Sequence, residues 1–225
     1  MTIDWYDKLR HDLALLPYSV ADEQVAQLKA FVELLNKWSS RINITAIKEL
    51  EEIVTKHILD SLSVRSFLPA VDLPALESKC VMIDMGTGGG LPGIPLAIME
   101  RNRPWVLVDS NAKKIQFLRH VCAQLRLDNV VLKHQRIEQL TRAELNLTEN
   151  TELALISRAF APLQKMLQYV EGWLRPGQLL YLMLGKTNLV NEQEHPGYQC
   201  IHSEALIVPG LAASRHLCIL KKDAE

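Results

Sequence analysis

An apolar run, Cys80-Val81-Met82-Ile83, leads directly into Met85–Pro95, "MGTGGGLPGIP", where five glycines and two prolines fall within eleven residues. A strand that ends in backbone without side chains is the opening of an α/β sheet whose edge receives a nucleotide-like ligand. Beyond it, short apolar runs alternate with helical spacing. The expected strands are "CVMIDM", "WVLVDS", "NVVLKH", "LALISRA", "QLLYLML", "EALIVP" and "HLCILKK", with helices near 93–101, 111–126, 136–145 and 161–174. Strands that alternate with helices imply right-handed crossovers and a parallel sheet covered on both faces. Only the short segment around "GLAASR" separates the last two runs, too little for a helical crossover, so these should pair as an antiparallel hairpin at the sheet edge.

Upstream of Cys80 the spacing is helical throughout. Val25, Leu28, Val32 and Leu35 recur at three and four, as do Ile53, His57, Asp60, Ser61 and Val64. The expected organisation is a helical region over 1–77 that packs on a catalytic domain over 78–225, with "LPAVDLPALESK" as the proline-bearing linker. The 225 residues suffice for one α/β domain with an appendage, burying about 70% of the surface exposed by the unfolded chain. "MTIDWYDKLRHD" leads into no apolar signal region and no stretch approaches the roughly 20 apolar residues of a membrane span, so a soluble, cytoplasmic protein is expected. Cys80, Cys122, Cys200 and Cys218 lie far apart, with no C-x-x-C pair and no Cys/His cluster at metal-ligand spacing. They read as reduced core residues, and no metal site is expected.

The formal net charge is −1, which by itself points to no polyanionic partner. From Arg101 to Arg142, however, nine lysines and arginines face only Asp109, Asp128 and Glu138. Such a segment is either a set of solvated helix faces or a phosphate-binding surface.

The glycine loop admits two spellings. Gly88-Gly89-Gly90-Leu91-Pro92-Gly93 matches the dinucleotide fingerprint G-x-G-x-x-G, whereas Asp84 to Gly90 matches D-x-G-x-G-x-G, the first motif of Rossmann-like methyltransferases. A pyrophosphate needs free N–H groups at the start of the following helix, and Pro92 and Pro95 each remove one. Asp84 would bring negative charge to the strand mouth, which repels phosphate and suits the ammonium and sulfonium of S-adenosyl-L-methionine. The edge hairpin also departs from a purely parallel dinucleotide sheet. Asp109, at the end of the next strand, can accept the ribose hydroxyls of either cofactor, with Ser110 or Asn111 capping the helix that follows. Ile137 and Glu138 fall where an adenine edge would rest, although Glu138 also reads as an acid of a first helical turn. A P-loop is excluded, because no Gly-Lys-Ser/Thr follows.

"GTGGGLPGIPLAI", "LVDSNAKKIQFLRHV", "ISRAFAPL" and "SRHL", preceded by "LNKWSSRINITAI" and "KHILDS", resemble the RsmG (GidB) family of bacterial 16S rRNA guanine-N7 methyltransferases. The likeness runs from about Leu34 to Leu220 in the expected order. It implies a Rossmann-like class I methyltransferase sheet, mostly parallel with a C-terminal antiparallel edge hairpin, S-adenosyl-L-methionine as cofactor, and transfer to N7 of a guanine in the 530 loop of 16S rRNA. The partner it implies is that rRNA, with the small ribosomal subunit as the expected setting; separately from the resemblance, a monomer is expected. Carried over by position, its cofactor contacts fall on Gly86, Leu91, Asp109, Ile137, Glu138 and Arg158. The loop motif adds Asp84 and Gly88. Basic residues for RNA would be Lys113, Arg136 and Arg215, together with Arg158. One departure stands out: the family's fifth strand ends in Lys-Gly, whereas this chain has Leu184-Gly185-Lys186, so the family lysine's role is not carried over to Lys186.

Guanine N7 has an available lone pair, so the reaction needs no general base and no catalytic dyad is expected. Alignment at near-attack distance can supply about 7–11 kcal/mol of such a barrier. Arg158, closing the fourth strand, reads as a clamp on the cofactor carboxylate or an RNA phosphate, or as a rim salt bridge. His57, Asp60 and Ser61 share one helix face and read as an interface that hydrogen-bonds the helical region to the sheet, not as a triad. Asn43 and Thr45 read as turn caps, Trp38 as core and His216 as structural. Other readings are a methyltransferase for another RNA or a small molecule, and a non-catalytic rRNA-binding assembly factor.

Overall fold

A computed structural model describes residues 4–69, 80–158, 163–185 and 196–224. The helical region contributes α1 (Trp5–Leu13) and α2 (Asp22–Ser39), then a continuous helical rod made of α3 (Leu50–Ile53), a π-helical stretch (Val54–Leu59) and α4 (Asp60–Leu62). The seven strands are β1 (Val81–Met85), β2 (Trp105–Asp109), β3 (Val130–His134), β4 (Leu153–Arg158), β5 (Leu179–Leu184), β6 (Tyr198–Ala205) and β7 (His216–Lys222). Between them stand α5 (Gly93–Met99), α6 (Ala112–Leu125) and α7 (Leu163–Val170).

The sheet order is β3-β2-β1-β4-β5-β7-β6, with β7 antiparallel to both β5 and β6 and every other pairing parallel. The chain leaves β1 towards β2 and β3, then returns to β4 on the other side of β1. This reversal opens a crevice at the carboxyl ends of the strands, where such sheets take their ligands.

Period-two alternation sorts the strand residues between two cores. Val81, Ile83 and Met85 face α7, Trp173 and Leu174, whereas Met82, Leu107, Ile156 and Tyr181 face α5 and α6. The second core continues without a break into the helical region: Leu28, Phe31, Val32 and Leu35 of α2 share it with Phe117, Leu118 and Val121 of α6. Trp38 packs its ring 5.6 Å from that of Phe117, a core placement.

Two expectations shift. "EALIVP" is not the sixth strand: β6 begins at Tyr198 and ends at Ala205, and Ile207 is 90% exposed in the connection that follows. Of this edge strand only Tyr198 is buried, and exposed or half-buried polar residues such as Gln199, His202, Ser203 and Glu204 hide it from a search for apolar runs. The helix expected at 136–145 is two isolated 3-10 turns, Ile137–Gln139 and Ala143–Leu145. The "LPAVDLPALESK" linker, beyond Leu68 and Pro69, and Lys186 lie outside the described residues. No helix among the described residues is long and apolar enough to cross a membrane.

Candidate functional site

The glycine loop is folded around Asp84. This carboxylate is 0% exposed, and its Oδ2 accepts from the Thr87 hydroxyl at 2.7 Å and from the Gly93 N–H at 2.8 Å, where α5 begins. Burial raises its pKa from the usual carboxylate range to about 6, against the lowering effect of those two hydrogen bonds. The expectation that Asp84 presents charge at the strand mouth is therefore corrected. Its carboxyl is enclosed beneath the loop and takes the first helical N–H, which a dinucleotide pyrophosphate would have needed. Leu91, 7% exposed, is likewise packed into the core shared with the helical region rather than lining the cavities described below.

Above that scaffold the loop turns through Gly86, Gly88 and Gly90, all with positive φ. At Gly90 (φ +85°) a Cβ would stand 2.5 Å from Ile94 Cγ1 and 2.7 Å from Leu118 Cδ2, so only glycine fits. Gly88 (φ +58°) donates its N–H to Asp109 Oδ2 at 2.8 Å, while Asp109 Oδ1 accepts from the Asn111 N–H at 2.8 Å. Asn111 in turn caps α6 by accepting from the N–H groups of Lys113 and Lys114. Asp109 thus fixes the loop and the start of the helix, and Asn111, not Asp109, is the cap.

Gly86, Val108, Asp109 and Ile137 line a cleft of about 330 Å³ over the ends of β1, β2 and β3, with Glu138, Lys165 and Tyr169 on its walls. Each Asp109 oxygen keeps one acceptor site free for a ribose hydroxyl. Ile137 and Val108 offer an apolar floor to a purine, and Gly86 lets a ligand pass over bare backbone. The donor set fits the nucleoside part of S-adenosyl-L-methionine. Arg136 also lines this cleft, its Nη1 3.9 Å from Glu138 Oε1, so it stands with the cofactor-side residues instead of on a separate RNA surface.

A second cavity, about 380 Å³, lies over β4 and β5 and is lined by Lys56, His57, Asp60, Arg158, Gly185 and Arg215 among others. Arg158 Nη1 donates to Asp60 Oδ2 at 3.0 Å and Arg215 Nε donates to Asp60 Oδ1 at 2.9 Å. His57 holds Thr45 Oγ1 at 2.7 Å through Nε2, while its Nδ1 faces the Lys56 carbonyl at 3.1 Å and Arg158 Nη2 at 3.5 Å. Burial, reinforced by the Arg158 guanidinium, lowers the His57 pKa to about 4, so the ring is neutral at pH 7. The His57/Asp60/Ser61 face does bond the helical region to the sheet, but Ser61 turns back to the His57 carbonyl at 2.6 Å. Thr45 also caps its own turn by accepting from the Ile47 N–H at 3.1 Å. His216 is 5% exposed and pairs with Ser203 Oγ at 2.7 Å across the hairpin, a structural placement.

Lys113 lies in neither cavity. It lines a third hollow of about 320 Å³ with Arg41, Asn43, Asn111 and Lys114, on the α6 side of the glycine loop. Of the residues expected to meet RNA, Lys113, Arg136 and Arg215 therefore lie in three separate hollows, and Arg158 shares that of Arg215. Sequence reasoning missed Lys165 and Tyr169, which share a helix face at i and i+4, and Arg41 and Lys56, whose positions depend on how the helical region docks.

The family described as rRNA small subunit methyltransferase G, GidB, matches residues 24–218. A ribosomal RNA small subunit methyltransferase G of Cellvibrio japonicus is 39% identical over 79% of this chain and 77% of its own length. That of Marinobacter nauticus is 37% identical over 97% of this chain and 95% of its own length. Among solved structures, a SAM-dependent methyltransferase from Aquifex aeolicus superposes with a TM-score of 0.51 at 13% identity, covering 75% of this chain and 92% of that one. TrmN from Thermus thermophilus also gives 0.51, at 14% identity, over 82% of this chain and 53% of that one. At such identities the likeness shows the Rossmann-like methyltransferase fold alone. With a family match over most of its length, the chain belongs to the rRNA small subunit methyltransferase G (GidB) family.

Proposed function

We propose that this chain transfers the methyl group of S-adenosyl-L-methionine to N7 of a guanine in the 530 loop of 16S rRNA, in the cytoplasm and within the small ribosomal subunit. The observation that carries the reading is a pair of neighbouring hollows at the carboxyl ends of the strands. The cleft lined by Asp109 lies over β1, β2 and β3, and a cavity with two arginines lies over β4 and β5.

When bound, S-adenosyl-L-methionine supplies a methyl carbon on a sulfonium, open to attack by a lone pair. Asp109 accepts the ribose hydroxyls, Ile137 and Val108 support the adenine, and Glu138 lies at its edge. Asp84 and the three positive-φ glycines hold the loop in the shape that leaves room for the aminoacyl chain. Arg158 and Arg215 face anionic oxygen, of the cofactor's carboxylate or of the RNA, in the second cavity. Lys113 and its neighbours Arg41 and Lys114 meet the RNA backbone, since these three cations have no ion-pair partner among the described residues. The neutral His57, engaged at both ring nitrogens, is not needed as a base, because guanine N7 gives up no proton. The protein's task is to hold two reactants in line, and no covalent intermediate is required.

Incubation with labelled S-adenosyl-L-methionine and small subunits lacking the modification tests this reading. Label should enter the rRNA at a single guanine. No incorporation, where a known methyltransferase succeeds, would leave an assembly factor. Transfer to small molecules without RNA, insensitive to salt, would indicate the other enzyme class, because binding to rRNA must weaken as salt rises.

A further inference from the structure

We infer that Asp60 is a positioning residue for anion binding: its buried carboxylate holds Arg158 and Arg215 together as a fork for an anionic oxygen group. The inference rests on the function proposed above and assigns a task to the helical region.

Asp60 is 2% exposed, yet it sits between two guanidinium groups that arrive from distant parts of the chain, Arg158 from the end of β4 and Arg215 from the residue before β7. A buried carboxylate needs one cation for neutrality, and the second is surplus. The cluster therefore presents net positive charge to the cavity over β4 and β5, where the two arginine side chains keep 19% and 23% of their exposure. Their donors are only partly spent. Arg158 Nη1 serves Asp60 and the Lys56 carbonyl, and Arg215 Nε and Nη1 serve Asp60 and the Ser214 carbonyl. Arg158 Nε and Arg215 Nη2 have no hydrogen bond among the described residues. A guanidinium carries five N–H groups, so the pair retains donors for oxygen.

The backbone is adapted to this cluster. In the π-helical stretch the Asp60 N–H passes over the Lys56 carbonyl and donates to Thr55 and His57, while the Lys56 carbonyl accepts from Arg158 at 3.1 Å. Wide helical turns of this kind recur at functional sites. Gly185 lines the same cavity, and among the described residues nothing stands within 4 Å of where its Cβ would be. The ligand chemistry is an anionic oxygen pair or triplet, either the carboxylate of the cofactor's amino-acid tail or an RNA phosphodiester.

The test uses the full chain with Asp60→Asn, Arg215→Gln and both together. Calorimetry measures affinity for S-adenosylhomocysteine, which has the carboxylate, and for 5′-methylthioadenosine, which lacks it. Filter binding measures affinity for small subunits lacking the modification. Asp60→Asn should weaken S-adenosylhomocysteine or the subunit, or both, by at least tenfold, with 5′-methylthioadenosine within twofold. The arm that weakens identifies the anion. The double variant should lose no more than threefold beyond Asp60→Asn, because Asp60 acts through the arginines. Equal loss for both nucleosides, or no loss in either arm, overturns the inference. Should Asp60→Asn not fold, Arg215→Gln, which leaves Asp60 paired with Arg158, must still weaken one arm at least fivefold. Wild-type protein that fails to methylate the subunit would overturn the functional reading, while the S-adenosylhomocysteine arm still decides on Asp60.

Discussion

The cleft over β1, β2 and β3 is assembled from residues that the chain itself brings close: Gly86 and Asp109 line it from two consecutive strand–turn–helix units, and the backbone N–H groups of Gly88 and Asn111 hold the Asp109 carboxylate in place. The cavity over β4 and β5 is assembled from a distance, with Asp60 joined to residues 98 and 155 positions away. The first depends on backbone conformation and the second on charged side chains that cross from the helical region to the sheet. The cleft should therefore break through single atoms in the loop, and the cavity through changes of charge.

The largest effect is expected at Gly90. An alanine there would hold φ near +85° and place its Cβ 2.5 Å from Ile94. Strain and overpacking together should cost about 2–5 kcal/mol of stability and abolish cofactor binding. Urea denaturation with a shift of less than 1 kcal/mol would show that the loop is soft and would erase the contrast between the two regions.

Asp84 sharpens the same contrast through pH. Its pKa is raised from 3.8 unfolded to about 6 folded, so the folded state holds the proton more tightly. The stability that this preference supplies is fully present below about pH 4, falls as pH rises, and is gone above about pH 6. The span corresponds to about 3 kcal/mol. Asp84→Asn, which keeps an acceptor for Thr87 and Gly93, should lack this contribution, so the difference in stability between variant and wild type should change between pH 4 and 6 and be flat from pH 6.5 to 8. Parallel curves across the whole range would mean that the buried carboxyl is not the titrating group.

This division also governs what could be read from the sequence. The glycine loop, Asp109 and the alternation of strands are local patterns, and they gave the sheet with its edge hairpin. The motif gives Asp84 its place in the loop but not its burial beneath it, because a motif gives order along the chain and not depth. β6 is hidden because all of it but Tyr198 lies outside the core, and the 136–145 segment forms turns that bury only Ile137 and Leu140, too short an apolar stripe to hold a helix. The Asp60 cluster was only half legible. Helical spacing placed His57 and Asp60 on one face, but nothing in that spacing gave Arg158 and Arg215 as their partners.

Asp109→Ala should weaken cofactor binding by about 1–3 kcal/mol, through the loss of charged acceptors for the ribose and of the anchor for Gly88. Calorimetry with S-adenosylhomocysteine reads this directly. An affinity unchanged within twofold would remove Asp109 from the site and leave it as a brace for the loop alone.

The smallest effects are expected at the exposed cations, and here the two regions can be separated most finely. Lys113 is in the hollow beside α6, whereas Arg136 shares the cleft with Asp109 and Glu138. Lys113→Ala should reduce the dependence of subunit binding on log salt by about 1 and leave cofactor affinity alone. Arg136→Ala should do the same to the salt slope and also change S-adenosylhomocysteine affinity by about 0.5 kcal/mol, a small figure because its side chain is 67% exposed. If both variants change only the salt slope, Arg136 belongs to the RNA surface despite its position. If Lys113→Ala weakens cofactor binding instead, the hollow beside α6 is part of the cleft, and the cofactor side of the sheet extends further towards the helical region than backbone geometry alone indicates.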